Sequence, residues 1–271
     1  MLIVVYLLAA AVVTALWAVL QGLNHVLLLV PMFIVAWLGL HLISGIVMLI
    51  GCQFFGHWPI EKQSPFCRWG CVGIAHMLCT YAGIFPKLEG VEKLPKDSRF
   101  LYICNHRSSF DPLLAAYVFS RYNLSFISKP SNMNIIVVGK LSQGAGYLPI
   151  DREDNREALK TINTAADYLK KDMCSMAVYP EGTRCKDPDV TPMLPFHAGS
   201  FKIAQKAGVP VVVASVRYQH PDVKKHLFRP NRCYMKILDV IPAEQVKAMK
   251  TQELADLSST MIRDSLREDV K

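Results

Sequence analysis

RFLYICNHRSSFDPLLAAYVFSRY (residues 99–122) joins three unlike pieces of chain. Residues 99–105 read as a short buried strand, with Phe100 to Cys104 all apolar or aromatic between Arg99 and Asn105. Residues 112–122 carry an apolar run of helical length. Between them lies a polar turn holding His106, Ser108, Ser109 and Asp111, which runs straight into Pro112. Aspartate as cap with proline at the first helical position is an ordinary helix start. On this stretch alone Asp111 therefore reads equally as a helix cap or as a partner for His106, five positions earlier.

Working outward, the same alternation recurs. LSFIS (124–128), SMAVYP (175–180), VPVVVASVRY (209–218) and CYMKILDVI (233–241) read as strands. REALKTINTAADYLKK (156–171) and GSFKIAQKAG (199–208) read as helices, the second stopped by Gly208. Leu254, Leu257, Met261 and Leu266 give the C-terminal segment an apolar helical face. Alternation of this kind predicts an α/β domain with a largely buried sheet flanked by helices. KLEGVEKLP (87–95) is a turn-rich boundary, placing the start of that domain at residue 87 and its end at 271.

The first sixty residues differ in kind. In a chain of 271 residues with 30 Lys and Arg, 22 Asp and Glu and a net charge of +8, no charge precedes Glu61. Residues 1–20 and 26–51 are apolar and each long enough to cross about 30 Å of hydrocarbon as a helix. QGLNH (21–25) makes the connection a tight turn, so residues 1–60 read as a membrane-embedded helical hairpin. A cleaved signal peptide fits poorly, because no basic segment precedes the first span and a second follows at once. A hairpin crossing the bilayer and one entering a single leaflet both remain open. By the basic remainder, the charged domain is expected on the cytoplasmic face, of the plasma membrane in a bacterial cell. Residues 61–86 suit either an amphipathic helix at the membrane surface or the first core helix, and the surface reading is preferred slightly. The eight cysteines show neither CxxC nor zinc spacing, so they read as reduced thiols, with no structural metal and no cofactor expected.

Three further stretches fall near strand ends, where ligands of open α/β sheets gather. They are ISKP with Lys129, GAGYLPIDR with Arg152, and VYPEGTR with Glu181, Gly182, Thr183 and Arg184. Singly, each is an ordinary turn or a solvated charge. Together, Lys129, Arg152 and Arg184 offer one point charge and two planar forks for a phosphate. Gly182 allows close backbone approach to a ligand, and Glu181 can accept hydrogen bonds from substrate hydroxyls. His106 is the natural general base, with Asp111 fixing its tautomer. No nucleophile elbow surrounds Ser108 or Ser109, so a substrate hydroxyl is expected to attack directly.

In this order, NHRSSFD, YLPIDR, YPEGTR and GVPVVVASV resemble the blocks of the 1-acyl-sn-glycerol-3-phosphate acyltransferase family across roughly residues 88–218. The resemblance implies a glycerolipid-acyltransferase-like fold. It also implies transfer of a fatty acyl group from acyl-CoA or acyl-carrier protein to the sn-2 hydroxyl of lysophosphatidate, giving phosphatidate. His106 and Asp111 correspond to the catalytic dyad. Arg152 matches the phosphate-binding arginine, and Glu181, Gly182, Thr183 and Arg184 match the acceptor block. Lys129 matches a phosphate-contacting lysine, and Pro210 a proline expected to shape the acyl-donor tunnel. His197 departs from the pattern, standing where many relatives carry lysine. Other acceptors suit the same machinery: glycerol 3-phosphate, a lysophospholipid or a lyso-ornithine lipid. A thioester hydrolase is disfavoured by the phosphate clamp. A basic membrane-tethered lipid-binding protein is the non-enzymatic alternative. Nucleic acid is not an expected partner, because the basic residues are dispersed.

Overall fold

The computed structural model describes residues 2–21, 26–56, 60, 62–151, 153–187, 189, 191–223, 225 and 227–268. Helices α1 (Leu2–Leu20), α2 (Leu29–Phe55) and α3 (Pro65–Tyr81) precede strand β1 (Ile84–Glu89). There follow β2 (Leu101–Cys104), α4 (Asp111–Val118), β3 (Leu124–Ser128), α5 (Val138–Gly144), β4 (Leu148–Pro149), α6 (Asn155–Lys170) and β5 (Ser175–Val178). The chain closes with α7 (Lys202–Ala207), β6 (Val211–Tyr218), β7 (Asn231–Ile241), α8 (Ala243–Ala248) and α9 (Thr251–Glu268).

The strands form one seven-stranded sheet in the order β1-β7-β6-β2-β5-β3-β4. β6, β2, β5, β3 and β4 run parallel; β7 is antiparallel to β6, and β1 is parallel to β7. Every residue of β2 and β5 is buried, as expected of parallel strands covered on both faces. Tyr102 and Cys104 point to one face, against Leu114, Ala115 and Phe119 of the α4 region and Ala75 and Cys79 of α3. Leu101 and Ile103 point to the other, against α6, α7 and α9. From β2 the chain leaves along the first face through α4 to reach β3. From β5 it leaves along the second face, through α7, to reach β6. Adjacent strands whose connections depart on opposite faces open a crevice at their carboxyl ends, and this is where open α/β sheets bind ligands.

Local chemistry sets the helix ends. Ser64 accepts from the Cys67 N–H at 3.3 Å with Pro65 in the first turn of α3, a cap worth ~1 kcal/mol. Asp154 accepts from the N–H groups of Arg156 and Glu157 at the start of α6. Along α9 the expected face packs on the core, Leu254 and Leu266 buried and Leu257 and Met261 partly buried against it, with Ile262 added to the buried stripe.

Several expectations change. The stretch 64–85 is a helix only to Tyr81, and one face of it (Cys67, Gly70, Gly73, Ala75, Cys79) is buried in the protein while Trp69 and Leu78 stay exposed. Its small residues admit close packing, so it is a core helix with one open face. The boundary expected at residue 87 falls inside β1, whose pairing with β7 outweighs the turn composition. The helix expected over 112–122 is α4 followed by a 3-10 turn at Ser120–Tyr122.

Helices α1 and α2 are each long and apolar enough to cross a membrane by length and composition. They are joined by Tyr6 Oη donating to Ser44 Oγ at 2.7 Å. The C-terminal half of α2 docks on the domain through Met48 and Cys52, which pack with Cys67, Leu141 and Ala145. Midway along α2, His41 Nε2 lies 2.6 Å from Tyr81 Oη at the end of α3.

Candidate functional site

β2 ends at Cys104, and Asn105 extends its pairing by side chain alone. The Asn105 amide donates to the Val216 carbonyl at 3.0 Å and accepts from the Val216 N–H at 2.8 Å. This clasp fixes where the next residue leaves the sheet. His106 Nδ1 then lies 2.8 Å from Asp111 Oδ2. The carboxylate only accepts, so Nδ1 carries the proton and Nε2 is the ring's acceptor.

Asp111 is 1% exposed and fully used. Its Oδ2 also accepts from the N–H groups of Arg107 at 2.7 Å and Ser108 at 2.8 Å. Its Oδ1 accepts from Tyr218 Oη at 2.6 Å. A buried carboxylate is tolerated because these donors replace its water shell. Asp111 does not cap α4: it stands inside the first turn after Phe110, which makes no side-chain cap. Its side chain is turned back onto the loop that holds His106. The negative charge also holds neighbouring thiols neutral. Burial, and then Asp111, push Cys104 and Cys233 well up and Cys79 up to about 12, which removes them as nucleophiles.

After β5, Tyr179 stacks on the His106 ring at 4.5 Å between centroids. A turn follows in which the Gly182 N–H donates to the Tyr179 carbonyl at 3.0 Å. Gly182 has φ +76°, where a side chain would be strained. Glu181, in the same turn, is 3% exposed and does not face an open site. Its Oε1 accepts from the His106 N–H at 2.6 Å and its Oε2 from the Leu194 N–H at 2.9 Å. Burial pushes its carboxyl up from the usual range, and the two backbone donors pull it part of the way back. Arg107 grips the same loop, donating to the carbonyls of Pro192 at 3.1 Å, Asp187 at 2.5 Å and Asp189 at 2.6 Å.

Arg184 Nη1 donates to Ser109 Oγ at 3.1 Å, which ties it to the His106–Asp111 loop. Thr183 is exposed beside it, and Lys129 is exposed directly after β3. His106, Arg184 and Lys129 thus rise from β2, β5 and β3, consecutive neighbours in the sheet at about 4.8 Å spacing. Arg152 lies outside the described residues. Pro210 stands at the opposite end of β6, where its carbonyl accepts from Leu101 N–H. A strand length of roughly 20 Å separates it from the dyad, so it does not border the site.

A cavity of about 480 Å³ adjoins the dyad on the α6 and α7 side. Ile127, Ile150, Leu159, Ile162 and Ile203 make its walls apolar, and Asn155, His197, Ser200 and Lys202 supply polar groups. Tyr179 belongs both to this lining and to the stack on His106. Tyr179, Tyr218 and Arg107 were not singled out in the sequence. For Tyr218 a signal existed, since it follows Val212, Ala214 and Val216 at period two onto the face that carries Asp111.

Residues 86–217 match the family model described as Acyltransferase. Over 227 residues the chain is 28% identical to a 1-acyl-sn-glycerol-3-phosphate acyltransferase of Saccharomyces cerevisiae, covering 83% of this chain and 71% of that one. A protein of the same name from Haemophilus influenzae is 27% identical, with 62% and 70% covered. The alpha form from Ovis aries is 30% identical, with 64% and 60% covered. In fold the chain is similar to the crystal structure of the 1-acyl-sn-glycerophosphate acyltransferase of Thermotoga maritima. The TM-score is 0.62 at 21% identity, with 84% and 92% covered.

Proposed function

The chain belongs to the acyltransferase family through its residues 86–217, and from that premise we propose that it is a 1-acyl-sn-glycerol-3-phosphate acyltransferase. The observation that carries this reading is the His106–Asp111 pair at the switch point, with the tautomer that leaves Nε2 as acceptor. His106 Nε2 takes the proton from the sn-2 hydroxyl of lysophosphatidate as that oxygen attacks the carbonyl carbon of an acyl thioester. Asp111 stabilises the imidazolium that forms. Collapse of the tetrahedral intermediate breaks the carbon–sulfur bond, and the imidazolium returns its proton to the leaving thiolate. Atoms balance without an enzyme-bound acyl group. General-base help of this kind is worth roughly 10²- to 10⁴-fold.

Lys129 and Arg184 meet the acceptor phosphate, with Thr183 next to Arg184 in the chain; Arg152 joins them on the family resemblance alone. Glu181 serves by holding the backbone of His106 in place. The apolar cavity next to Tyr179 suits the acyl chain of the donor, acyl-CoA or acyl-carrier protein. Relatives named for this reaction support the acceptor.

The hairpin holds the domain to the cytoplasmic face of a membrane, where the acceptor lipid resides. The test is transfer from labelled acyl-CoA by isolated membranes, with lysophosphatidate, glycerol 3-phosphate and neutral lysophospholipids as parallel acceptors. Phosphatidate formation that falls at least about 100-fold in His106→Ala supports the reading. A preference for another acceptor overturns the substrate, and full activity in His106→Ala overturns the dyad.

A further inference from the structure

We propose that two loops at the dyad end of the sheet, after β3 and after β6, insert their tips into the bilayer, so that the crevice opens onto the lipid surface. The proposal rests on the membrane-attached reading above and adds the surface and the orientation.

Strand direction places both loops. β2, β3, β5 and β6 are parallel, so the segments after β3 (129–137) and after β6 (219–230) leave from the end that carries His106 and Asp111. Tyr218, the last residue of β6, reaches Asp111 itself. Among the described residues outside α1, α2 and the turn before α2, the two most exposed large apolar side chains sit on these tips: Ile136 at 81% and Phe228 at 81%. Ile135 and Leu227 are exposed beside them.

Neither tip is a slack coil. The Val138 N–H donates to the Ile136 carbonyl at 2.8 Å, and Val137 has φ +67° and ψ −61°. That is a classic-handed γ-turn, rare and strained, and here centred on a β-branched residue. Phe228 is held at φ +65° with its N–H donating to the Ala82 carbonyl at 3.2 Å. Two strained apolar tips presented to water make sense when something apolar receives them.

Continuity with the hairpin identifies the receiver as lipid. Phe228 bonds to Ala82, and Asn231 N–H donates to the Gly83 carbonyl at 2.8 Å, just past Tyr81, whose hydroxyl meets His41 of α2. At Gly83, φ +75°, a Cβ would come within 2.4 Å of the Arg229 carbonyl oxygen, so glycine lets the β6–β7 loop cross the end of α3. The other loop leads into α5, where Lys140 Nζ donates to Gln53 Oε1 of α2 at 2.7 Å. The second tip is therefore tied to the middle of α2 and the first loop to its C-terminal end. Arg229 and Lys225 are exposed on the second loop, Lys225 paired with Asp222 at 3.1 Å, and Lys129 opens the first. Basic residues flanking an apolar tip suit the anionic headgroup region.

The test labels the full chain with an environment-sensitive fluorophore at Ile135→Cys or Leu227→Cys, leaving Ile136 and Phe228 in place. Native cysteines are buried or half-buried, and unsubstituted chain labelled in parallel gives the background. Lys171→Cys, after α6 at the other end of the sheet, is the wet control. Chains are reconstituted with phosphatidylcholine–phosphatidate vesicles carrying a shallow nitroxide on the acyl chain. Both tips are expected to blue-shift and be quenched several-fold more than Lys171→Cys, and adding Ile136→Ser or Phe228→Ser should return the neighbouring label to water. Quenching no greater than that of Lys171→Cys overturns the proposal. So does a blue shift without nitroxide quenching, which would mean that a second copy covers the tips. Acyl transfer is measured on the same vesicles, so loss of the enzymatic reading is seen separately from the position of the loops.

Discussion

Asp111→Asn isolates the electrostatic part of the dyad. Three donors converge on Oδ2 (His106 Nδ1–H, Arg107 N–H and Ser108 N–H), while Tyr218 Oη alone faces Oδ1. An asparagine must therefore set its carbonyl oxygen at the Oδ2 position, because its NH₂ there would meet three donors. The NH₂ then faces Tyr218, whose hydroxyl can turn and accept. The imidazole keeps its tautomer and its place, and only the negative charge is lost. At about 4 Å between charge centres and an effective dielectric near 20, the carboxylate–imidazolium attraction is about 4 kcal/mol. The asparagine dipole recovers part of it, leaving a loss of roughly 2–4 kcal/mol, or about 30- to 1,000-fold in kcat/KM. Initial rates with labelled acyl-CoA and lysophosphatidate measure it, with Tyr218→Phe run alone and in combination. Tyr218→Phe alone removes one donor of several and should cost about fivefold. An Asp111→Asn rate within about threefold of the parent would refute the argument, because no imidazolium would then be forming beside this carboxylate.

The remaining predictions concern the frame around the dyad. Glu181→Gln leaves an amide NH₂ facing one of the two backbone N–H groups, so His106 loses its fixed departure from the sheet. We expect kcat to fall about 10- to 100-fold with the acceptor KM nearly unchanged; a selective rise in KM would instead make Glu181 a substrate contact. The Glu181 carboxyl is raised in the folded state, so between its unfolded and its raised value the native form binds more proton than the unfolded chain. Its stability contribution is then fully present below the unfolded carboxylate value and lost as pH rises through the raised one. Melting temperatures in detergent should accordingly show the parent gaining on Glu181→Gln as pH falls from neutral toward about 4.5, and a constant gap would contradict this. Gly83→Ala combines a left-handed backbone with a Cβ 2.4 Å from the Arg229 carbonyl oxygen; it should destabilise the chain by about 1–3 kcal/mol, read as a lower melting temperature.

What the sequence could reveal followed from what each residue's partner was. β2, β3, β5 and β6 were legible because apolar and β-branched runs have few uses other than buried strands, and α6 because its capping aspartate and apolar period agree. β1 was not: Ile84–Glu89 carries proline and charges, and only pairing with β7, far along the chain, makes it a strand. α3 was read slightly toward the membrane because it is mostly apolar with Arg68 as its single charge, whereas its small residues decide which face packs closely on the protein.

The site divides along the same line. His106 and Asp111 were found together because a short spacing in one loop constrains where both side chains can go. Glu181 was also singled out, and for a sound reason, but with the wrong partner. A carboxylate beside a glycine in a turn at a strand end can face a ligand's hydroxyls or its own chain's N–H groups, and composition does not separate the two. Here two half-buried backbone donors, His106 N–H and Leu194 N–H, claim both oxygens. A carboxyl group offers one oxygen to each, whereas an amide there would satisfy only one of them. Asn105, Glu181 and Tyr218 thus form a frame that fixes the His106 backbone from one side, the loop after β5 from another and Asp111 from a third. If that frame positions the base, damage to any member should lower kcat without altering which acceptor is preferred, whereas changes at Lys129 or Arg184 should alter acceptor KM first.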